Sequence, residues 1–252
     1  MTESETSGAP QGMPDPDVHP ALAALLGHGD DNLVLAHRLG EWISKAPELE
    51  LDIALGNIGL DHLGVARLIL QHVGQLEGKG RDEDDLAMGR TDRGFLNLLL
   101  VEQPNSDFAH TIGRQFFIDC YQVELWADLA KSDDSILAGI AARAAKEADY
   151  HLRFSRAWMV RMGDGTPESH ARAQAAVDHL WRFTGEIFEN ERGVYRPAWD
   201  QKVAGVFAEA GLKFPEDPYQ KTGGRIGYHT EHLGYLLTEM QWMQRTYPGL
   251  EW

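Results

Sequence analysis

Apolar side chains recur at helical spacing along nearly the whole chain from about residue 31 onward, and no convincing period-two strand pattern interrupts them. This periodicity predicts an all-α protein. Proline, glycine and capping residues divide the pattern into helices over about residues 31–45, 48–76, 93–102, 106–131, 135–162, 166–191, 197–210 and 230–247. Residue Asp30 or Asp31 is the expected N-cap of the first of these helices.

Short connections join the long helices in pairs. The first turn lies at Ala46-Pro47 and the second at residues 132–134. Short connections favour antiparallel neighbours, so we predict a four-helix bundle of two hairpins with extra peripheral helices. Residues 1–20 are rich in small, polar and acidic residues and are expected to be a disordered tail, which leaves residues 21–252 as a single domain. The charged segment 77–92 and residues 214–227 are expected to be loops.

Composition and charge argue against some classes of partner and cellular location. The formal charge of −16 and the pI near 5.0 argue against nucleic acid or an anionic membrane as the main partner. The one cysteine, Cys120, lies in an apolar stretch and is expected to be buried and inert. No run of about 18 apolar residues and no secretory pattern appear. We therefore expect a cytoplasmic protein that does not enter the membrane.

The two predicted hairpins repeat one another in geometry. Asn32 lies 14 residues before the turn at Ala46, and His62 lies 16 residues after it. Around the turn at Asp133, Asp119 lies 14 residues before, and Ala148 and His151 lie 15 and 18 residues after. At about 1.5 Å per residue, Asn32 and His62 come level within roughly 3 Å, and Asp119 comes level with the segment that carries Ala148 and His151. This is the arrangement of a ferritin-like bundle, in which such inward positions carry metal ligands.

Two interpretations of these inward residues stay open. In the first, His62, Asp119 and His151 hold a single metal ion, which would make the chain a metalloenzyme with an altered mononuclear site. In the second, Asp119, His151 and Lys146 satisfy one another in a polar core without metal. No Glu-x-x-His motif occurs in the chain, so a di-iron site of the usual ligand set is not expected.

Several unusual runs carry a resemblance to a known family. They are LGEWISKAPELE (39–50), IGLDHLG (58–64), NLLLVEQPN (97–105), YHLRFSR (150–156), TGGR (222–225) and HTEHLG (229–234). With them the chain, from about residue 32 to 252, resembles the C subunit of the bacterial phenylacetyl-CoA epoxidase complex. The resemblance implies a ferritin-like, non-catalytic structural subunit of phenylacetate catabolism. Its partners would be a catalytic di-iron subunit that binds phenylacetyl-CoA, a further small subunit and a reductase.

The resemblance also implies where the catalytic relative's metal ligands fall in this chain. Its first Glu falls on Asn32, its first Glu-x-x-His on His62 and Val65, its second on Ala148 and His151, and its remaining acid on Asp119. Four of the six positions thus lack the expected ligand. We expect no catalytic residue, no metal and no other cofactor in this chain, with the di-iron centre in the partner. A free-standing helical binding module is a further alternative.

Three weaker signals lie outside the bundle centre. Lys221-Thr-Gly-Gly-Arg225 before a helix start suggests an anion cradle, a docking loop or a plain turn. His229 and His232, three residues apart, are a candidate metal-binding pair, but we expect exposed residues near a helix cap instead. Arg90 and the run Arg93, Gly94, Phe95, Leu96 are a candidate edge that touches coenzyme A bound by the partner, with a surface arginine paired to the acidic loop as the alternative.

Overall fold

A computed structural model describes residues 19–249, except the side chain of Glu191, and this part of the chain is helical with no strand. The helices are α1 (Pro20–Gly40), α2 (Leu49–Glu77), α3 (Glu83–Met88), α4 (Phe108–Leu129), α5 (Ser135–Gly163), α6 (Pro167–Leu180), α7 (Arg196–Ala210), α8 (Glu231–Met240) and α9 (Trp242–Thr246). The predicted all-α fold is confirmed. Most of the predicted disordered tail, residues 1–18, lies outside the described residues.

Two helical hairpins form the bundle, as predicted. Helix α1 pairs with α2, and α4 pairs with α5. The hairpins meet through α2 and α5 and through ring contacts such as that between His28 of α1 and Trp126 of α4. Helices α6 and α7 pack on the second hairpin. Cys120 is buried in the core, and burial raises the pKa of its thiol well above the ordinary value.

Helix α1 differs from its predicted bounds at both ends. It begins at Pro20, where the His19 side chain accepts a hydrogen bond from the amide of Ala21, and it ends at Gly40. Asp30 and Asp31 therefore do not cap a helix: they lie within α1 and are buried. The glycine-containing run before them resembles a helix boundary, but it belongs to the helix.

The buried crossover, residues 95–103, replaces a predicted helix over 93–102. Only a short 3-10 turn, Asp92–Gly94, forms there, and the rest of the segment is irregular. Buried carboxylates accept its backbone N–H groups: Asp30 binds Leu96 at 2.8 Å, Asp31 binds Leu98 at 2.7 Å, and Glu186 binds Leu99 at 2.7 Å. Since backbone groups in a core need partners, these three side chains make an irregular buried segment possible.

Smaller differences concern peripheral segments. The predicted acidic loop contains α3, whose N-cap Asp82 and third residue Asp85 form a reciprocal capping box. Helix α6 ends at Leu180, earlier than the predicted residue 191, and 3-10 turns continue towards residue 195. The last predicted helix is divided into α8 and α9.

Helix α2 passes a simple test for a membrane span, which was not expected from the sequence. Its best 18-residue window has a mean hydropathy of 1.4, and 44% of that window is buried inside the fold. It is the one helix of the described part of the chain that passes. The test uses only length and composition, and a central bundle helix meets it too, so it is weak support for a membrane role.

Candidate functional site

The inward residues of the two hairpins form one connected group, which we call the central polar cluster: Asn32, His62, Gln115, Asp119, His151 and Ser155. All six are buried. The predicted level positions in the first hairpin are confirmed, because His62 Nδ1 lies 2.8 Å from Asn32 Oδ1. Helices α1, α2, α4 and α5 each contribute at least one member.

Gln115 connects the halves of the cluster, and it was not among the predicted site residues. Its side-chain amide nitrogen lies 3.0 Å from His62 Nε2 and donates to Asp119 Oδ1 at 2.7 Å. Both of these acceptors are atom types that bind metal ions. The neutral –NH₂ group of Gln115 therefore lies between two atoms that would otherwise be free to hold a cation.

The hydrogen bonds assign the tautomer of His62. The Asn32 amide nitrogen donates to the backbone oxygen of His28 at 2.8 Å, so the Asn32 oxygen faces His62 and accepts from Nδ1–H. Nε2 is then left with a lone pair that accepts from Gln115. Burial, together with the nearby charges of His151 and Arg114, holds the His62 pKa well below its usual value. His62 is a neutral link in the chain of hydrogen bonds.

Asp119 is the one carboxylate of the cluster. Burial raises its pKa to about 6, while the charge of His151 and the hydrogen bonds from Ser155 and Gln115 act in the opposite direction. Ser155 donates to Asp119 Oδ2 at 2.6 Å. Both carboxylate oxygens are thus occupied by neutral donors from the same chain.

His151 has a different partner from the one expected. Its Nε2 lies 3.1 Å from Oδ2 of Asp61, at the edge of the cluster. Lys146 is exposed on α5. The expectation that Asp119, His151 and Lys146 satisfy one another is wrong in its pairing, since Asp119 binds Gln115 and Ser155 and His151 binds Asp61.

The residues present do not fit two metal ions. Ligand atoms of His62, Asp119 and His151 lie within 4.8 Å of one another, the one such His, Cys, Asp or Glu group in residues 19–249. Val65 and Ala148 carry no ligand atom, and the oxygen of Asn32 is used by His62. The cavity beside the cluster measures about 10 Å³, which is room for about one water. Three ligands would suit at most a single ion, and Gln115 would first have to move.

Comparison with known proteins shows to which family the chain belongs. The family model described as phenylacetic acid catabolic protein matches residues 3–252. The chain belongs to this family. It is also 51% identical over 238 residues to the C subunit of the 1,2-phenylacetyl-CoA epoxidase of Escherichia coli strain K12, an alignment that covers 89% of this chain and 96% of that protein. The resemblance inferred from the sequence runs is therefore confirmed at the level of the family.

In this member of the phenylacetic acid catabolic family, three side chains of the site could not be recognised from the sequence by their residue type. Gln115 and Ser155 are not metal-ligand types, and Asp61 lies next to His62 on α2. Only spacing could have pointed to Gln115, because it precedes Asp119 by four residues and so lies on the same helix face.

The glycine-rich loop binds an anion that belongs to the chain itself. One oxygen of Glu186 accepts the amide hydrogens of Gly223 at 3.0 Å and Gly224 at 2.6 Å. The backbone angle φ of Gly223 is +129°, a conformation that favours glycine. The cradle suggested by the sequence exists, and its occupant is the carboxylate that also holds Leu99 of the buried crossover.

His229 was expected to be exposed, and that expectation is wrong. Its Nδ1 lies 2.8 Å from Glu102 Oε2 and its Nε2 lies 2.8 Å from the backbone oxygen of Phe95, with both side chains of the ion pair buried. Because both partners are acceptors, both ring nitrogens carry hydrogen. Burial opposes the charged form, but the bond to Glu102 and its charge outweigh burial and raise the His229 pKa. His232 is half-buried near the start of α8.

The candidate coenzyme A edge divides into buried and exposed residues. Phe95 and Leu96 belong to the core, and Arg90 is buried in an ion pair with Asp30, so these three do not form a surface. Arg93 is exposed, lies 3.4 Å from the Gly227 oxygen, and stacks over Tyr228. Only Arg93 and the half-buried Gly94 remain as candidates for contact with a ligand.

Proposed function

We propose that this chain is a non-catalytic structural subunit of a phenylacetyl-CoA epoxidase and that it pairs with the catalytic di-iron subunit in aerobic phenylacetate degradation. The observation that carries the proposal is the position of Gln115 between His62 Nε2 and Asp119 Oδ1. Neutral hydrogen-bond donors occupy the acceptors that a metal ion would need. The small cavity beside the cluster supports the same conclusion, because an aromatic ring does not fit in about 10 Å³.

The structural role follows from the stability of such a centre. Burying polar groups costs little free energy of folding when the groups are hydrogen-bonded to one another. A set of metal ligands without its metal ion would instead leave several buried polar groups without partners. The bundle can therefore keep its shape without metal and serve as a rigid body for assembly. In this proposal the chain is cytoplasmic, holds no cofactor, and leaves the di-iron centre and most of the phenylacetyl-CoA contacts to its partner. A further small subunit and a reductase complete the assembly.

Co-expression with the catalytic di-iron chain tests this proposal. We expect a stable complex on size exclusion, iron bound to the catalytic chain, and epoxidation of phenylacetyl-CoA only when that chain is present with its reductase. Absence of any complex between the two wild-type chains would contradict the proposal.

A metalloenzyme with a mononuclear site is the second candidate, and one observation favours it. The ligand atoms of His62, Asp119 and His151 lie within 4.8 Å of one another. Stoichiometric metal in the purified isolated chain, lost on Asp119→Ala and retained on Asp61→Asn, would support this candidate over the structural role.

Contact between this chain and coenzyme A is a separate proposal that now rests on Arg93. Arg93→Ala in the assembled epoxidase is expected to raise KM for phenylacetyl-CoA with little change in kcat. An unchanged KM would show that the Arg93 side chain does not contribute to binding of phenylacetyl-CoA. Arg245→Ala, which also replaces an exposed arginine, is the control.

A further inference from the structure

An exposed apolar face runs along the first hairpin. Leu49, Ile53, Leu60 and Leu63 lie on one side of α2, at spacings of four, seven and three residues. Leu60 is 65% exposed and Ile53 is 56% exposed. Three of these side chains, those of residues 53, 60 and 63, border a groove of about 640 Å³ together with Ile43, between α2 and the end of α1. We call this surface the α1–α2 groove.

This face has no covering segment in the described part of the chain. Burying a leucine or isoleucine side chain stabilises a protein by an amount proportional to its apolar area, so a row of exposed ones is unfavourable for a chain that functions alone. A large contiguous apolar patch marks an interaction site rather than ordinary surface. Helix α4 differs, because its large apolar side chains are buried or half-buried.

Two glycines, Gly40 and Gly56, also line this groove. A side chain added at Gly40 or Gly56 would meet no atom within 4 Å. Gly59 differs, because its added carbon would lie 3.3 Å from Leu39 Cβ, where α1 and α2 pack together. The packing of this chain explains Gly59 but explains neither Gly40 nor Gly56. Glycine lowers the surface of a helix so that another backbone can come close.

Charge around the groove indicates which partner fits. Residues 37–68 contain five acidic residues, Glu41, Glu48, Glu50, Asp52 and Asp61, and three basic residues, Arg38, Lys45 and Arg67. Arg38 is buried and pairs with Glu41, Arg67 pairs with Glu83, and Asp61 lies 3.1 Å from His151 at the edge of the central polar cluster. This leaves Glu48, Glu50 and Asp52 beside the groove against Lys45. The rim is therefore acidic on a chain whose formal charge is already −16. Such a rim repels a second copy of the chain and an anionic lipid surface, and it attracts lysine and arginine.

We propose that the α1–α2 groove binds an amphipathic helix of a second, non-identical protein chain. Leucine-like side chains of that helix would lie between Ile53, Leu60 and Leu63, its backbone would approach Gly56, and its flanking lysines and arginines would face Glu48 and Glu50. This inference deepens the proposed function, on which it rests, by assigning the face to which the catalytic chain binds.

Charge substitution on the face tests this assignment. Ile53→Asp and Leu60→Asp are made in the full chain and co-expressed with the catalytic chain, with Ile226→Asp as a matched control because Ile226 is 64% exposed on another surface. We expect the two groove variants to weaken the complex at least tenfold by titration and the control to leave it within twofold. All three isolated chains should keep the circular dichroism spectrum and melting temperature of the wild type.

Hydrogen exchange gives a readout that needs no substitution. Amides of residues 49–63 are expected to exchange more slowly in the complex than in the isolated chain, and the complex should weaken as salt is raised. If the wild-type chains form a complex but the groove variants retain it and these amides are unchanged, the assignment of the face is wrong while the proposed function stands. If the wild-type chains form no complex, both are wrong.

Two other occupants give distinct results. If the isolated chain sedimented as a dimer and the Leu60→Asp variant sedimented as a monomer, a second copy of the chain would be the occupant. Flotation of the chain with phosphatidylglycerol vesicles, lost in Leu60→Asp, would identify a lipid surface. Either result overturns the proposal.

Discussion

Gln115 decides the chemistry of the bundle centre. Its amide donates to Asp119 and faces His62 Nε2, so a metal ion and this side chain compete for the same two atoms. A glutamine contributes hydrogen bonds without charge, which lets the carboxylate and the imidazole remain buried together.

Removing this amide should uncover a metal site. We expect Gln115→Ala to bind Co²⁺ at least tenfold more tightly than the wild type, because His62 Nε2 and Asp119 Oδ1 are then free to ligate beside His151. Visible absorption of bound Co²⁺ and calorimetric titration measure this. Gln122→Ala, which removes another buried amide near Asn32, is the control. Equal affinity in the wild type and in Gln115→Ala would show that Gln115 does not block the site.

Asp119 should make stability depend on pH in a defined window. Its folded pKa of about 6 lies above the ordinary value of 3.8, so between those two values the folded chain binds more protons than the unfolded chain. Stability from this group is therefore lost as pH rises from about 4 to 6. Asp119→Asn keeps an acceptor for Gln115 and should remove this slope, with a gain of about 1–3 kcal/mol in unfolding free energy at pH 7. Urea unfolding at several pH values checks this.

Asp149→Asn serves as the control for that series, because Asp149 is an exposed aspartate on α5, which packs against the helix of Asp119. The two variants should differ most at pH 7 and least near pH 4. A slope that persists in Asp119→Asn would assign the pH dependence to other groups.

At the scale of elements, the buried crossover depends on side chains far away in the sequence. Asp30, Asp31 and Glu186 accept its amide hydrogens, and Arg90 and Arg225 in turn neutralise Asp30 and Asp31. A side chain at Gly27 would lie 2.5 Å from an Arg225 nitrogen, so this glycine lets Arg225 reach α1. The segment is irregular because carboxylates replace the hydrogen bonds of a helix.

Glu186→Gln tests that dependence. The amide that replaces one carboxylate oxygen is a donor and would face the N–H groups of either Leu99 or the glycine-rich loop. We expect a loss of about 1–3 kcal/mol in unfolding free energy, together with faster amide exchange in residues 95–103 and 222–226. Glu239→Gln, at an exposed position on α8, should change neither. Local exchange rates that match the wild type would contradict the role of Glu186.

The ion pair between His229 and Glu102 holds the start of α8 to the crossover. A raised histidine pKa stabilises the fold fully below the unfolded value of about 6.5, and this contribution is lost as pH rises through the folded pKa. His229→Gln should cost about 3 kcal/mol at pH 6, with a smaller difference above neutral pH. Unfolding at pH 6 and pH 9 measures this, and His232→Gln is the control. A difference that grows with pH would exclude a charged His229.

The long helices could be predicted well from the sequence and the crossover poorly, for physical reasons. Helices α2, α4 and α5 have local causes: apolar periodicity, a proline or aspartate near the start, and glycine or a short turn at the end. The crossover is as apolar as a helix, and its irregular path depends on Asp30, Asp31 and Glu186, which come from distant elements. No local pattern records such long-range hydrogen bonds.

The same limit applied to the central polar cluster. Counting from the hairpin turns brought Asn32 level with His62, and the two side chains are bonded. It did not give the partners of Asp119 and His151, because several polar side chains lie within reach on each helix face. Only the rotamers select Gln115, Ser155 and Asp61.

At the scale of the whole molecule, the two sides of the first hairpin have opposite requirements. On the inner side, Asn32 bonds to His62, and Gln115 bonds to His62 and Asp119 across the bundle. The outer side exposes Ile53 and Leu60 and carries glycine where alanine would favour the helix. A chain that functioned alone would gain stability by changing that outer side, whereas a subunit needs it unchanged for assembly.

Gly56→Ala separates these requirements because its two effects have opposite signs. The added methyl group meets no atom of this chain, so the isolated protein should gain about 0.5–1 kcal/mol in unfolding free energy. The same methyl group occupies the space that a partner helix would use, so the complex should weaken severalfold. In α7, a side chain added at Gly205 also meets no atom within 4 Å. Gly205→Ala should therefore raise the unfolding free energy of the isolated chain without weakening the complex. If Gly56→Ala stabilised the chain and left the complex unchanged, the partner backbone would not approach Gly56, and the glycine would have no role in assembly.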